Sequence, residues 1–343
     1  MASVSLEQHW HPIAPAGEID GQPRQYMLLG QRLVAFRDAE DAVVFKDVCI
    51  HRGAELSGGW IDGGRLTCPY HGWQYDRTGA CVHIPSLPDG ATIPSKARAI
   101  KYNTREAYGL VWVAMAERAA AFPEWPEDAW KNPAYHVFMV GDYTWDTSAG
   151  RAVENAMDFS HFNFVHKGFT ELADGPVIKN HGVTQTEHGL SYEYDDGARL
   201  RQYTLHFPFV LHDKKTVTPA ALAARGKGIE GGTWSESANS KPGDATILTF
   251  IASPIDAKRT RLFCFIARNH SLEKTDAQMS EGFDEIMEQD RRVVESQHPE
   301  EIPTHIREEL HLRVPDAASI AYRKLLLGVE RRGVAREIAA AAE

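Results

Sequence analysis

The chain has 343 residues, 43% hydrophobic and 24% charged, enough apolar material for a large core and enough length for two domains. Its formal net charge of −10 and pI near 5.9 disfavour nucleic acid and anionic membrane as partners, because both reward basic surfaces. No stretch approaches the ~18 apolar residues of a membrane span, and MASVSLEQHWHP lacks the basic and apolar regions of a secretory signal, so a soluble cytoplasmic protein is expected.

In chain order, RQYMLLG, RLVAFRD, AVVFKDV, RLTCPY, GWQYD and GLVWVAM read as short strands separated by Gly, Asp and Asn turns. They predict a small all-β domain over residues 1–120. Within it CIHRGAEL and TCPYHGW place Cys49 and His51 before Cys68 and His71, in the pattern CxH…CxxH. Two thiolates and two imidazoles at this spacing suit a [2Fe–2S] cluster in which two His replace two Cys on one iron, the Rieske arrangement. Tetrahedral zinc also accepts Cys2His2, but zinc sites open with CxxC or longer spacings rather than CxH. Thiolates on one iron and neutral imidazoles on the other make the cluster asymmetric, with its redox-active iron on the histidine side. Gly53, Gly58, Gly59, Gly63, Gly64 and Gly72 supply the turns two cluster loops need, and Trp73 and Tyr75 read as packing beneath the second. Cys81 and Cys264 read as small buried apolar residues rather than a disulfide. Lys96, Arg98, Lys101 and Arg105 form a local basic cluster, either a solvated strand face or a landing place for an acidic electron donor.

FPEWPEDAWKNPAY follows neither regular period and reads as a crossing into a second domain, 121–343. There GLSYEYDD, RQYTLHFPFVLH, ATILTFIASPID and RTRLFCFIARNH read as strands, and helices are predicted near 151–163, 276–297 and 316–340. An antiparallel sheet with helices at one side makes the domain, and the chain as a whole, α+β. The polar, glycine-rich residues 224–244 read as a long loop covering a substrate entrance or as plain flexible surface. Tyr203, Phe207, Phe209, Leu211, His206, Val210, Trp234 and Phe250 are residues of core or pocket wall, with core the commoner fate of aromatics.

MDFSHFNFVH carries Asp158, His161 and His166, and a non-haem iron(II) site needs two His and one carboxylate with positions left open. On an ideal helix Glu154, Asp158 and His161 fall within about 60° of one another, whereas His166 lies about 140° round from His161. If both histidines bind one metal, the helix must end or widen, and the break is predicted near Phe162–Phe164. A second carboxylate lies in EGFDEIMEQDRRVVESQ, where Phe283, Ile286, Met287, Val293 and Val294 recur at helical spacing around Asp290. An ionised Asp on an apolar stripe is costly unless metal-bound or paired with an arginine, which makes Asp290 the preferred third ligand.

CIHRGAEL, TCPYHGWQYDRTG and NAMDFSHFNFVH together resemble the catalytic α subunit of Rieske non-haem iron oxygenases over nearly the whole chain. DFSHFNFVH and EQDRRVVESQHP are most similar to the homotrimeric monooxygenases, a group that includes caffeine-type N-demethylases, vanillate and dicamba O-demethylases and saxitoxin-pathway hydroxylases. Respiratory Rieske carriers have a further cysteine in each cluster loop, where this chain has Ala54 and Tyr70. The resemblance implies a helix-grip (START-like) catalytic domain, a mononuclear Fe(II) on His161, His166 and Asp290, and O2 as co-substrate. It also implies NAD(P)H electrons delivered by a ferredoxin or flavin reductase. Asp158 then bridges His71 of one subunit to His161 of the next in a head-to-tail trimer. Glu154 and Asn155 are cast as supporting groups around the iron, with plain helix surface the alternative for Glu154. The implied reaction is monooxygenation of a small aromatic or heterocyclic compound leading to N- or O-demethylation. Ring or alkyl hydroxylation, or cis-dihydroxylation, is the alternative within enzymes, and a non-catalytic Rieske electron carrier is the alternative outside them.

Overall fold

The computed structural model describes residues 6–172, 175–197, 199–219, 241–303 and 307–340. Two compact units divide the chain, Met1–Phe122 and Pro123–Glu343.

The first unit is built from three small antiparallel sheets. One joins His11–Pro15, Leu110–Ala114 and Asn103–Ala107; the second joins Arg24–Leu28, Gln31–Asp38 and Asp41–Lys46; the third joins Trp60–Asp62, Arg65–Thr67, Gln74–Tyr75 and Cys81–His83. Apolar alternation decides which faces turn inward: Val34 and Phe36 on one strand meet Val43 and Phe45 on the next in a core that also takes in Leu56, Leu66, Tyr75 and Cys81. That core reaches Cys49 and Cys68, so the turns carrying them are anchored on packed residues. The basic run contributes Asn103–Ala107, a strand too polar to stand out by pattern. Arg98 there donates to the Thr78 carbonyl at 2.7 Å, and Arg105 lies 3.9 Å from the Phe122 ring centroid.

In the second unit a seven-stranded antiparallel sheet runs in the order His136–Trp145, Thr260–Arg268, Ala245–Pro254, Val210–Val217, Arg199–His206, Gly189–Asp195, Val183–Gln185. The run RQYTLHFPFVLH is two strands rather than one. Pro208 brings no N–H to a ladder, and residues 207–209 turn the chain so that His206 pairs with Val210 across a hairpin.

Among the described residues, five helices accompany this sheet: α1 (Glu127–Trp130), α2 (Ala149–Met157), α3 (Phe162–Val165), α4 (Asp276–Val294) and α5 (Ala317–Ala340). The first falls inside the Pro/Trp-rich segment that no periodicity marks. Ser148 caps α2 by accepting the Arg151 N–H. α4 starts in a capping box, in which Thr275 accepts from the Gln278 N–H and the Gln278 side chain accepts from the Thr275 N–H. Met279, Phe283, Met287, Asp290 and Val294 are its buried stripe; Val293 lies off that stripe, 45% exposed. No helix among the described residues is long and apolar enough to cross a membrane. The loop expected over residues 224–244 lies, except for its last four residues, outside the described residues, as does Trp234.

Candidate active site

The two loops of the first unit share one backbone frame. Cys49 donates its N–H to the Ala54 carbonyl at 2.8 Å and its carbonyl accepts from Gly53 at 2.9 Å; Cys68 does the same with Trp73 at 2.9 Å and Gly72 at 3.0 Å. Closing each turn takes a left-handed residue, supplied by Gly53 at φ 73° and Gly72 at φ 69°. Both cysteines are buried, and Cys49 Sγ sits 3.1 Å from the Tyr75 hydroxyl. His51 and His71 follow them with ring centroids 4.5 Å apart, and Trp73 stacks on His51 at 4.6 Å with the planes 6° apart. His71 is exposed, while Nδ1 of His51 is buried with no hydrogen-bond partner. A ring nitrogen without a partner beside two buried thiols is the donor set a [2Fe–2S] cluster with mixed ligands requires.

The second constellation gathers side chains from two distant elements. His161 Nε2 and His166 Nε2 are 3.2 Å apart, and Asp290 Oδ1 is 3.4 Å from the first and 3.2 Å from the second. Two ligand atoms about 2.1 Å from one octahedral ion at right angles lie about 3.0 Å apart, so this triangle matches one face of such an ion, with the opposite face left open. Among the described residues it is the one grouping of three or more His, Cys, Asp or Glu spaced to hold a metal.

The helix does break, but earlier than its sequence suggests. α2 ends at Asp158, whose φ of −84° and ψ of 143° are extended, and the short α3 resumes at Phe162, spanning the stretch where the interruption was predicted. Asp158 itself holds the break open: its carboxylate accepts from the Ser160 N–H at 2.9 Å, from the Ser160 hydroxyl, and from the His161 N–H at 3.2 Å. Local carboxylate-to-backbone bonds of this kind compete with continuation of a helix. The redirected chain swings His166 round to His161.

Each histidine is steered by its other nitrogen. His161 Nδ1 donates to Asp158 Oδ2 at 3.0 Å and His166 Nδ1 to Gln289 Oε1 at 2.9 Å, leaving both Nε2 lone pairs for the centre of the triangle. Asn155 Nδ2 donates to Asp290 Oδ1 at 3.4 Å. Burial disfavours charge on His161, but hydrogen bonds to Asp158 and Asp290 outweigh it and raise its pKa to about 9. Burial likewise opposes ionisation of Asp290, yet its bonds to the two histidines bring it down to about 2. Asp158 is held below the usual carboxylate range in the same way, by His161 and Ser160 against its own burial. Ionised carboxylates beside two imidazoles suit a divalent cation, which would take the place of the proton on His161 and leave both rings neutral.

Glu154 does not join this group. It pairs with Arg323 at 2.5 Å and lies 3.8 Å from Arg151, in a buried cluster with Glu309, because the break at Asp158 turns the ligand-bearing segment away from the face that Glu154 occupies. Asn155 does join it.

A cavity opens from the triad, with Phe162, Phe283, Ile286 and Met287 on the helix side and Leu211, Leu248, Phe250 and Ile266 on the sheet side. Of the aromatic and aliphatic candidates, Leu211 and Phe250 line it. Tyr203 is buried against Tyr192, their rings parallel at 4.6 Å. Gln289, which holds His166, and the polar cavity residues Thr170, Asp213 and Lys215 escape sequence reasoning. Gln289 is the neighbour of a candidate ligand, and strand alternation places Asp213 and Lys215 on the same face as Leu211, a signal legible once that strand is delimited.

Comparison with known proteins bears on both units. Residues 9–96 match the Rieske [2Fe-2S] domain, and residues 145–332 match the vanillate O-demethylase oxygenase C-terminal domain. The methylxanthine N1-demethylase NdmA of Pseudomonas putida is 30% identical over 338 residues, 94% of this chain and 88% of that protein. The structure of Pseudomonas putida NdmB superposes with a TM-score of 0.81 at 28% identity, covering 97% of this chain and 93% of that one. NdmA has been solved with theobromine, as a mutant, and with caffeine. Dicamba monooxygenase, 19% identical, shares the fold with a TM-score of 0.71, over 99% of this chain and 100% of its own. A Rieske domain followed by an oxygenase domain that spans more than half of the sequence makes this chain a member of the Rieske non-haem iron oxygenase family.

Proposed function

We propose that the chain is the terminal component of a multicomponent monooxygenase that removes an N- or O-methyl group from a small aromatic or heterocyclic compound. The observation that carries this reading is the triad of His161, His166 and Asp290 opening onto a largely apolar cavity. Names of relatives that act on methylxanthines favour a nitrogen heterocycle.

Cys49, His51, Cys68 and His71 would hold the cluster, and His161, His166 and Asp290 a mononuclear iron(II). When bound, the cluster supplies single electrons and the iron supplies oxygen activation. The chain's own residues do the rest. Asp158 and Gln289 fix the tautomer and rotation of the two histidines, Asn155 orients Asp290, and the apolar walls hold a methyl group near the triad with water excluded. In a ring of three copies, Asp158 also bridges from His161 to the partner subunit's His71. One atom of O2 converts a methyl C–H to C–OH, and the other leaves as water with two protons and two electrons drawn from NAD(P)H through a ferredoxin or flavin reductase. The hemiaminal or hemiacetal so formed loses formaldehyde.

The test supplies the iron-loaded full chain with NAD(P)H, a broad-specificity reductase, and N-methyl, O-methyl and unmethylated ring compounds, and follows oxygen and formaldehyde together. Formaldehyde in step with oxygen use is the expected result. Alcohol or diol without formaldehyde would move the protein to the hydroxylases, and no oxygen use with any compound would remove the activity altogether.

A further inference from the structure

The cavity wall opposite α4 is not uniformly apolar. Strands Arg199–His206 and Val210–Val217 pair with Arg201 opposite Lys215 and Tyr203 opposite Asp213, and the next strand sets Thr246 and Leu248 beside Lys215 and Asp213. Asp213, Lys215, Thr246 and Leu248 all line the cavity shared with the triad. Two cations directly opposite on neighbouring strands repel one another unless an anion lies between them. Asp213 Oδ2 takes that place, 3.2 Å from Lys215 Nζ and 3.7 Å from Arg201 Nη1. Arg201 is fixed from its other side by Asp196, at 2.9 Å.

This leaves Asp213 with one oxygen engaged and one idle. The residue is only 5% exposed, yet its Oδ1 is buried without a hydrogen-bond partner. Lys215 has three donors, and Asp213 is its one ion-pair partner among the described residues. The Thr170 hydroxyl on the same cavity is buried and equally without a partner. Polar groups buried in native proteins are nearly always satisfied, so vacant ones lining a ligand cavity mark what the ligand brings. An acceptor and a donor stand side by side here, one carboxylate oxygen and one ammonium.

We propose that Asp213 and Lys215 form the specificity-determining edge of this cavity and read a ring N–H adjacent to a ring C=O, so that the substrate is a neutral nitrogen heterocycle with an unsubstituted lactam edge. The inference rests on the demethylase reading and narrows its substrate class. An aromatic carboxylate would meet Lys215 but also set like charge against the vacant Asp213 oxygen. A purely apolar ring would leave both groups unsatisfied. A lactam edge satisfies both at once, the N–H donating to Asp213 Oδ1 and the carbonyl accepting from Lys215 Nζ, and the rest of the ring is left to carry a methyl group toward the triad.

Calorimetric titration of the iron-loaded full chain tests this with three probes: theobromine, whose ring has a free N–H between two carbonyls; caffeine, the same ring with that nitrogen methylated; and 4-methoxybenzoate, an anionic O-methyl compound. A site built to accept an N–H rejects the analogue that lacks it, so theobromine is expected to bind at least about tenfold tighter than caffeine and than 4-methoxybenzoate. In Asp213→Asn the amide oxygen faces the cations and an NH2 group faces the ligand, so theobromine loses about tenfold and its preference over caffeine disappears. Lys215→Met weakens both xanthines, since each keeps a ring carbonyl. Equal binding of the two xanthines by the unaltered protein, no binding of theobromine, or tighter binding of 4-methoxybenzoate would overturn the proposal without any variant being needed. Formaldehyde from 4-methoxybenzoate with no preference between the xanthines would sink this inference and spare the demethylase reading. The xanthine preference with no formaldehyde from any bound probe would do the reverse.

Discussion

The cysteine–histidine loops of the first unit and the triad of the second solve the same problem, bringing candidate ligand side chains together, by opposite means. Cys49 to His71 is one short stretch in which two turns repeat the same hydrogen bonds and glycines stand where the backbone must be left-handed. His161 to Asp290 spans more than a third of the chain, and the triad exists only because α4 brings Asp290 beside Asn155 of α2 and the two histidines that follow its broken end. Local geometry shapes the first site and tertiary packing the second. The first should therefore survive damage elsewhere in the molecule, and the second should respond to changes in its supporting groups.

The largest contrast comes from Asp290→Ala, which is expected to lower iron from about three to about two per chain and abolish oxygen-coupled turnover while the visible spectrum of the cluster stays intact. Full iron occupancy in that variant would mean that another carboxylate holds the metal. Asp158→Asn keeps the shape but offers His161 an amide in place of a carboxylate. Both metals should remain, with turnover reduced by about 10- to 100-fold, as for other carboxylate partners of metal-bound histidine. Unchanged turnover would leave Asp158 as no more than the residue that ends α2.

Arg323→Met acts on stability rather than chemistry. It strips the hydrogen-bonded partner from Glu154, leaving Arg151 at 3.8 Å, and one partner from Glu309 in a largely buried group of ion pairs, at a cost of about 3 kcal/mol. Thermal unfolding of the second unit should shift down with the cluster spectrum unaffected; a melting curve identical to that of the unaltered protein would show that the group contributes nothing net. Asn155→Ala is the mildest change, removing one long hydrogen bond to Asp290, and iron affinity measured by competition with a chelator should fall by about tenfold or less. A loss as large as that of Asp290→Ala would instead make Asn155 a ligand.

The same division explains what the sequence discloses. CxH…CxxH is legible because the ligand spacing and the chemistry occupy the same few residues. Asp290 is legible for a different reason, as an anion on an apolar helical stripe, which the packing of α4 accounts for. The position of the helix break is not, since it depends on Asp158 turning its carboxylate onto the backbone of Ser160 and His161 rather than on any helix-breaking residue. The face of Glu154 follows from that break and is missed with it. Asp213 and Lys215 are hidden more deeply, because a charged residue on a strand ordinarily signals solvent, and only the pairing of three strands shows that this face is lined by Leu211, Leu248 and Phe250.

Iron and acid-labile sulfide determined together on the purified, iron-replete protein bear on whether one chain carries two iron centres of different kinds. About three iron and two sulfide per chain are predicted, two of each in the cluster and one iron without sulfide on the triad. Two iron and two sulfide, unchanged after incubation with iron(II), would contradict it and reduce the protein to an electron carrier.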